Sequence, residues 1–283
     1  MNKKIYFISG VLFLSILPLV IIILKTNEYD SKVVLPSQAP PRLVAHAGGT
    51  IEGHLFTNSR EALDRSFSLG YQLIETDFSW SKDRNLVLVH DWRRGYRRLF
   101  GQKRIPTENQ FLSQKILGRY TTLSIAGLID WLNRHPSVKI VTDIKSHNLK
   151  ALAEIAYKYP ASQQRFIPQI YKFSEYDAVS KLGYKNIILT LYILRTSDFN
   201  ILKFAAAHHL FALTMPVRQA MRSTLALSLS ELGIYVYANT VNDWETFRRL
   251  SKRKIRGIYT DVLFGDGKIK QPESINPPDE TIQ

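Results

Sequence analysis

The chain contains no cysteine. That absence excludes disulfides, zinc–thiolate sites and a cysteine nucleophile, and it leaves the compartment open. Acidic residues are in deficit as well: 24 Asp and Glu against 38 Lys and Arg give a formal charge of +14. Such a surface attracts polyanions, nucleic acid or anionic lipid. No helix-turn-helix, zinc-finger or RNP signature is present, which argues against a nucleic-acid partner. Also missing is a glycine-rich phosphate loop after the first predicted strand, the usual mark of an open doubly wound sheet.

What is there begins with a long apolar run. Residues 5–24, IYFISGVLFLSILPLVIIIL, carry no charge, and at a helical rise of about 1.5 Å per residue the run spans a hydrocarbon core of about 30 Å. The following KTNEYDSKVV offers no small-residue cleavage motif, so residues 1–24 read as an uncleaved transmembrane anchor rather than a signal peptide. Lys3 and Lys4 precede the run, while Lys25 and Lys32 behind it are diluted by Glu28 and Asp30. This asymmetry predicts a cytoplasmic N-terminus and an extracytoplasmic body, periplasmic or extracellular. Residues 25–41, with Pro36, Pro40 and Pro41, read as a tether, and the polar, proline-containing residues 266–283 as a disordered tail. Between them, residues 42–265 show no linker and suit one α/β barrel in length.

Short apolar runs and helical patterns alternate through that body. Strands are expected at 42–45, 72–78, 138–144, 165–170, 186–192, 210–215, 234–240 and 256–261. Helical patterns separate them at 59–69, 124–134, 149–157, 175–181, 198–207, 218–232 and 242–251. Eight strands alternating with helices predict a parallel sheet, and eight is the number that closes a TIM-type (β/α)8 barrel. An open doubly wound sheet is the alternative. Residues 85–92, NLVLVHDW, form an additional strand expected to pair beside the second.

Functional groups of such a barrel gather at the C-terminal ends of its strands. His46 ends the first predicted strand, Glu75 and Asp77 the second, His90 the additional one, and Asp143 with Lys145 the third. A single carboxylate there usually caps a helix or joins a surface pair, and a lone histidine is usually structural. Glu75 and Asp77, however, are two residues apart, so a strand points both to one face. Burying two like charges among apolar neighbours is costly unless a cation joins them. With Asp143 they form an all-oxygen set suited to Ca²⁺ or Mg²⁺ rather than zinc. Arg93, Arg94, Arg97, Arg98, Lys103 and Arg104 form a basic stretch after HDW. As a loop it is expected either to rim the mouth and hold anionic headgroups, Arg93 and Arg94 foremost, or to be merely a solvated charged segment. Trp92 and Tyr192 are the aromatics best placed to line a substrate groove, although aromatics at strand ends are more often core.

HAGG (46–49), TNSREAL (57–63), ETD (75–77), HDW (90–92) and TDIK (142–145), followed late in the chain by ANTVNDWETFRRL and RGIYTD, resemble the glycerophosphodiester phosphodiesterase family in motif order from Leu43 to Asp261. The resemblance implies a TIM barrel and a phosphoric diester hydrolase of lipid-derived substrates. It implies Glu75, Asp77 and Asp143 as ligands of a divalent cation, Ca²⁺ or Mg²⁺. It implies His46 and His90 as general acid and base, and Lys145 on the substrate phosphate. This chain departs from the family pattern at four points. Ala47 stands where arginine is common, Thr57 where glutamate is common, Asp143 where the third ligand is commonly glutamate, and Asn239 where tryptophan is common. With both histidines and all three acids present, these departures imply a subfamily with its own headgroup preference. Two rival expectations follow from the same residues: a phospholipase of C or D type acting on intact lipid, and a non-catalytic, membrane-tethered barrel that binds lipid or glycan.

Overall fold

The described structure, a computed structural model, covers residues 39–265. The predicted anchor and tail, and all but the last three residues of the predicted tether, lie outside the described residues. Among the described residues no helix is long and apolar enough to cross a membrane.

In chain order the elements are β1 (Leu43–Ala45), α1 (Arg60–Ser68), β2 (Leu73–Trp80), β3 (Leu86–Leu88), α2 (Arg94–Phe100), α3 (Glu108–Leu112), β4 (Lys115–Ile116), β5 (Tyr120–Thr121), α4 (Ile125–Arg134), β6 (Lys139–Asp143), α5 (Asn148–Lys158), β7 (Phe166–Ile170), α6 (Tyr176–Lys181), β8 (Ile188–Thr190), α7 (Asp198–Ala207), β9 (Ala212–Pro216), α8 (Val217–Arg222), α9 (Leu225–Glu231), β10 (Val236–Asn239), α10 (Trp244–Ser251) and β11 (Gly257–Thr260). The parallel strands run β1-β2-β6-β7-β8-β9-β10-β11, and β1 pairs with both β2 and β11, which closes the barrel. β3 is antiparallel to the end of β2, Phe78 opposite Leu88.

Strand alternation sorts the side chains. Residues facing outward, among them Ile74, Ile140, Leu189, Leu213 and Ile258, join the helices in the main core. Inward, Val44, Leu73, Val141, Ile167, Ile188, Ala212, Tyr237 and Tyr259 form a separate apolar layer inside the barrel. A strand repeats its face every second residue, so the next inward positions toward the C-terminal mouth are His46, Glu75, Asp143, Gln169, Thr190, Thr214, Asn239 and Asp261. The sequence thus builds an apolar floor and a polar layer directly above it. At the floor's lower edge Gly257 is required by space: a Cβ there would come within 2.4 Å of the Tyr237 ring and 2.5 Å of the Arg42 carbonyl oxygen.

The helices begin where the sequence supplies caps. Ser59, Thr107, Ser124, Ser197 and Asp243 each accept a hydrogen bond from a backbone N–H in the first turn of the helix that follows, each cap contributing about 1 kcal/mol. In α4, Ile125, Leu128, Ile129 and Leu132 bury one helical stripe against the barrel.

Two expectations need correction. The pattern at 218–232 is two helices, because Ser223 is extended and its hydroxyl oxygen accepts the Leu225 N–H, the local competition that interrupts helices at serine. The basic stretch after HDW, expected as a loop, is helix α2 over Arg94–Phe100, with Tyr96 and Leu99 buried on its inner side.

Every barrel strand and the helices between them lie within residues 39–265, and Tyr237 and Arg256 donate hydrogen bonds to the carbonyls of Pro41 and Pro40 at the segment's start. A protein comprising those residues is expected to unfold in one calorimetric transition; two resolved transitions would show that the barrel is not one cooperative unit.

Candidate active site

The β2–β6 register sets the heart of the polar layer. Asp77 is opposite Asp143 and Glu75 opposite Val141, so three carboxylates converge, with one oxygen from each lying within 4.8 Å of the others. Glu75 and Asp77 are 1% and 2% exposed. Burial, then the Asp77 charge, raise the Glu75 carboxyl well above its ordinary range, and burial raises that of Asp143 against the pull of Lys145. Glu75 Oε1 is buried without a hydrogen-bond partner among the described residues. A buried carboxylate oxygen left unpaired beside two further carboxylates is costly, and an oxygen-seeking divalent cation removes that cost. The residues fit the ion.

Each carboxylate is held by a specific partner. The Ala47 N–H donates to Glu75 Oε2 at 2.7 Å. The Asn58 amide donates to Asp77 Oδ2 and accepts the Asp77 N–H, both at 2.9 Å. The Tyr171 hydroxyl donates to Asp143 Oδ1 at 2.6 Å while accepting the Ile144 N–H. The HAGG turn explains the first. Ala47 has φ 49°, a left-handed conformation that a small side chain tolerates best, and this aims its N–H at Glu75. Gly49 follows at φ 84°, where a Cβ would meet Ser66 Oγ at 2.3 Å.

Both histidines are oriented by aspartates. β1 and β11 pair with Ala45 opposite Thr260, so the next residues, His46 and Asp261, are neighbours, and His46 Nδ1 lies 2.9 Å from Asp261 Oδ1. Asn242 holds that aspartate by accepting its N–H and donating to Oδ2 at 2.7 Å. His46 Nε2 is thereby turned inward, 4.0 Å from Glu75 Oε2. Burial opposes charge on His46, but Asp261 with Glu75 and Asp77 outweighs it and raises the imidazole to about 10 in the protein without a cation. His90 Nδ1 lies 2.9 Å from Asp91 Oδ2. Burial works against charge on Asp91, yet bonds from His90 and from the N–H groups of Arg94, Gly95 and Arg93 pull its carboxyl down to about 2. His90 Nε2 is 2.6 Å from Lys145 Nζ, which is 3.7 Å from Asp143 Oδ2. Burial disfavours the Lys145 ammonium, but Asp143, Asp77 and Glu75 raise its pKa overall. The ammonium therefore donates to Nε2, and the remaining ring proton of His90 sits on Nδ1, facing Asp91. The Phe56 ring stands edge-on to both imidazoles, 4.9 Å from His46 and 5.6 Å from His90.

The structure thus brings together His46, Glu75, Asp77, His90, Asp143 and Lys145. Tyr192 joins them: its ring meets Tyr171 edge-on and lines the same small cavity as His46, Glu75 and Asp143. Trp92 goes elsewhere; its indole donates to the Trp80 carbonyl and packs on Tyr96 and Phe111 in a satellite core. Arg93 and Arg94 serve through their backbone N–H groups on Asp91, while their side chains are exposed. The guanidinium of the stretch that faces the site is Arg98, which donates to the Leu55 carbonyl and lies 5.6 Å from the Phe56 ring centre. Sequence reasoning assigns no role to Asn58, Asp91, Asn242 or Asp261, and reads Tyr171 only as one of several aromatics near strand ends that could line a groove. Asp261 alone carries a readable signal, since closure of an eight-stranded barrel sets the end of its last strand beside the end of its first.

No protein-family model matches the chain. Solved structures do. The glycerophosphodiester phosphodiesterase of Thermotoga maritima is 22% identical, with 79% of this chain and 96% of that chain covered at a TM-score of 0.64. A glycerophosphodiester phosphodiesterase from Parabacteroides distasonis is 17% identical, covering 78% and 92% at 0.62. An Oleispira antarctica phosphodiesterase, solved with the product sn-glycerol-3-phosphate, is 14% identical, covering 78% and 93% at 0.62. At these identities the likeness is one of architecture, and the chain has the TIM-barrel fold that these phosphodiesterases share.

Proposed function

We propose that the chain is a cation-dependent phosphodiesterase that hydrolyses glycerophosphodiesters or related phospholipid headgroups. The observation that carries this reading is a pair of aspartate-oriented histidines flanking Phe56, beside a buried three-carboxylate cluster. Two imidazoles with fixed tautomers and a nearby ammonium are the equipment of proton transfer at a phosphate, and a purely binding barrel has no use for them. The fold shared with phosphodiesterases of known structure adds support.

In this reading Glu75, Asp77 and Asp143 hold the ion, Ca²⁺ or Mg²⁺. A bound divalent cation supplies charge that neutralises the non-bridging phosphate oxygens as the transition state forms. Lys145 leaves His90 Nε2 for the phosphate and adds its own charge. One imidazole accepts the proton of the attacking hydroxyl and the other delivers a proton to the departing alkoxide, so the pair holds one proton between them. Asp261 and Asp91 keep both Nε2 atoms aimed inward. In the same reading, a membrane anchor at residues 1–24 would tether the protein to a bilayer, the source of lipid-derived diesters.

Hydrolysis of glycerophosphodiesters by the purified protein, abolished by excess EDTA and restored by Ca²⁺ or Mg²⁺, is the direct test. Full activity in EDTA would end the cation-dependent reading. Stability carries the same signature. His46 is raised from 6.5 to about 10, so its contribution is complete below its unfolded value and is lost as pH climbs to about 10. Glu75 and Asp143 are raised too, so their ionisation above their unfolded values also costs the cation-free protein stability. Protons and cation compete for the same oxygens. The rise in Tm on adding the cation is therefore expected to be larger at about pH 8.5 than at about pH 5.5, and a rise independent of pH would place the ion elsewhere.

A further inference from the structure

Between β3 and α4 the chain leaves the barrel for a segment that carries α2, α3 and the β4–β5 hairpin. Residues 93–119 of that segment hold eight Lys and Arg against one Glu, a net +7 and so half of the chain's formal +14. All eight cations are exposed. Three have company: Arg98 reaches the Leu55 carbonyl, Lys115 donates to Thr121 Oγ1, and Arg119 pairs with Glu52 at 2.6 Å. The side chains of Arg93, Arg94, Arg97, Lys103 and Arg104 have no polar partner among the described residues.

Exposed apolar side chains accompany them. Ile105 is 45% exposed, Leu112 40% and Leu117 37%. The segment packs on the barrel through other residues: Tyr96 and Phe111 fill one satellite core, and Leu99, Ile116 and Tyr120 fill a second. Leu117 stands in the three-residue loop of the β4–β5 hairpin at φ 52°, with its N–H fixed on the Leu99 carbonyl. Asn or Gly adopts this left-handed conformation at less cost, so a bulky apolar side chain there is a strained choice for a tip in water. One exposed apolar residue is ordinary. Three within a module of this charge mark a contact surface.

The pairing of cations with apolar groups selects the partner. Anionic headgroups answer the lysines and arginines, and the hydrocarbon beneath them answers the apolar side chains. Nucleic acid supplies the charge without the hydrocarbon. We propose that residues 93–119 form a docking surface for an anionic lipid bilayer, with Ile105 and Leu117 entering the boundary between headgroups and acyl chains. The surface is continuous with the site, because the N–H groups of Arg93, Arg94 and Gly95 hold Asp91, which orients His90. Docking therefore brings the His90 side of the barrel mouth near the headgroup layer. The proposal stands on charge and exposure and does not depend on the phosphodiesterase reading.

The absence of cysteine makes the test site-specific, since a single introduced thiol takes the only label. Full-length protein carrying Ile105→Cys or Leu117→Cys is labelled with the polarity-sensitive fluorophore NBD and reconstituted into vesicles. Phosphatidylcholine alone is compared with a mixture containing about one third phosphatidylglycerol. NBD emission at both positions is expected to be at least about twofold higher in the anionic vesicles, and to be quenched by lipids brominated along their acyl chains. Replacing three unpartnered cations together, Arg97→Gln, Lys103→Gln and Arg104→Gln, should remove at least about half of that rise, as should about 0.5 M salt. A label at Tyr157→Cys, 88% exposed near the C-terminal end of α5 and so at the opposite end of the barrel, should not respond. Equal emission in the two kinds of vesicle, an equal rise at position 157, or a rise that survives both the triple substitution and salt overturns the docking surface. An equal response to heparin in solution, unquenched by brominated lipid, assigns the surface to a soluble polyanion and overturns the bilayer.

Discussion

Replacing Asp77 by asparagine is expected to lower kcat/KM by at least about a thousandfold, because several kcal/mol of transition-state charge stabilisation depend on the ion that its carboxylate helps hold. The substitution keeps the shape, and the amide oxygen of the new side chain can still accept from Asn58 Nδ2 as Asp77 Oδ2 does. The fold should therefore survive. Without a cation the variant should be at least as stable as the wild-type protein, since one of three converging charges is gone and with it the push of Asp77 on Glu75. With saturating Ca²⁺ or Mg²⁺ the order should reverse, because only the wild-type protein gains the full stabilisation of a bound ligand. Thermal melts in EDTA and in cation, alongside titration calorimetry, read both halves. A variant that binds the ion as tightly as the wild type would remove Asp77 from the ligand set.

Loss of either histidine should slow turnover of an ordinary glycerophosphodiester by about 10²–10⁴-fold, the range for positioned acid–base groups. The wild-type rate should rise and then fall with pH, bounded by two apparent pKa values that belong to the pair. A nitrophenyl leaving group needs little protonation as it departs. That substrate should recover much of the lost rate in whichever of His46→Ala and His90→Ala lacks the acid, and little in the one lacking the base. His90→Ala should leave cation affinity nearly unchanged. His54, His135 and His147 bond elsewhere or face solvent, and their replacement should cost far less. An equal response of both variants to the activated substrate would refute separate acid and base roles; a loss below about tenfold in both would move the site.

Much of this site is legible in the amino-acid order because its parts follow strand periodicity. Glu75 and Asp77 share a face by being two residues apart, and His46, His90 and Asp143 end recognisable strands. The helix boundaries are legible from their caps, Ser59 and Ser124 among them. The basic stretch is not legible in the same way. Which arginine meets the site depends on the helical face of α2, and burial of Tyr96 and Leu99 decides that; Arg98, rather than Arg93 or Arg94, meets Phe56. Trp92 shows the same limit, since an aromatic beside a motif histidine serves the satellite core as readily as a groove.

By itself the sequence determined the alternation that makes a barrel, the polar positions one step above an apolar floor, and the carboxylate-rich character of a cation site, because these are local regularities of period and composition. Only the tertiary structure decided the partnerships. Asp261 reaches His46 across 215 positions of chain, Asn58 reaches Asp77, and Tyr171 reaches Asp143 from the next strand. Such pairings arise from closure and register, which bring together residues that no local pattern connects.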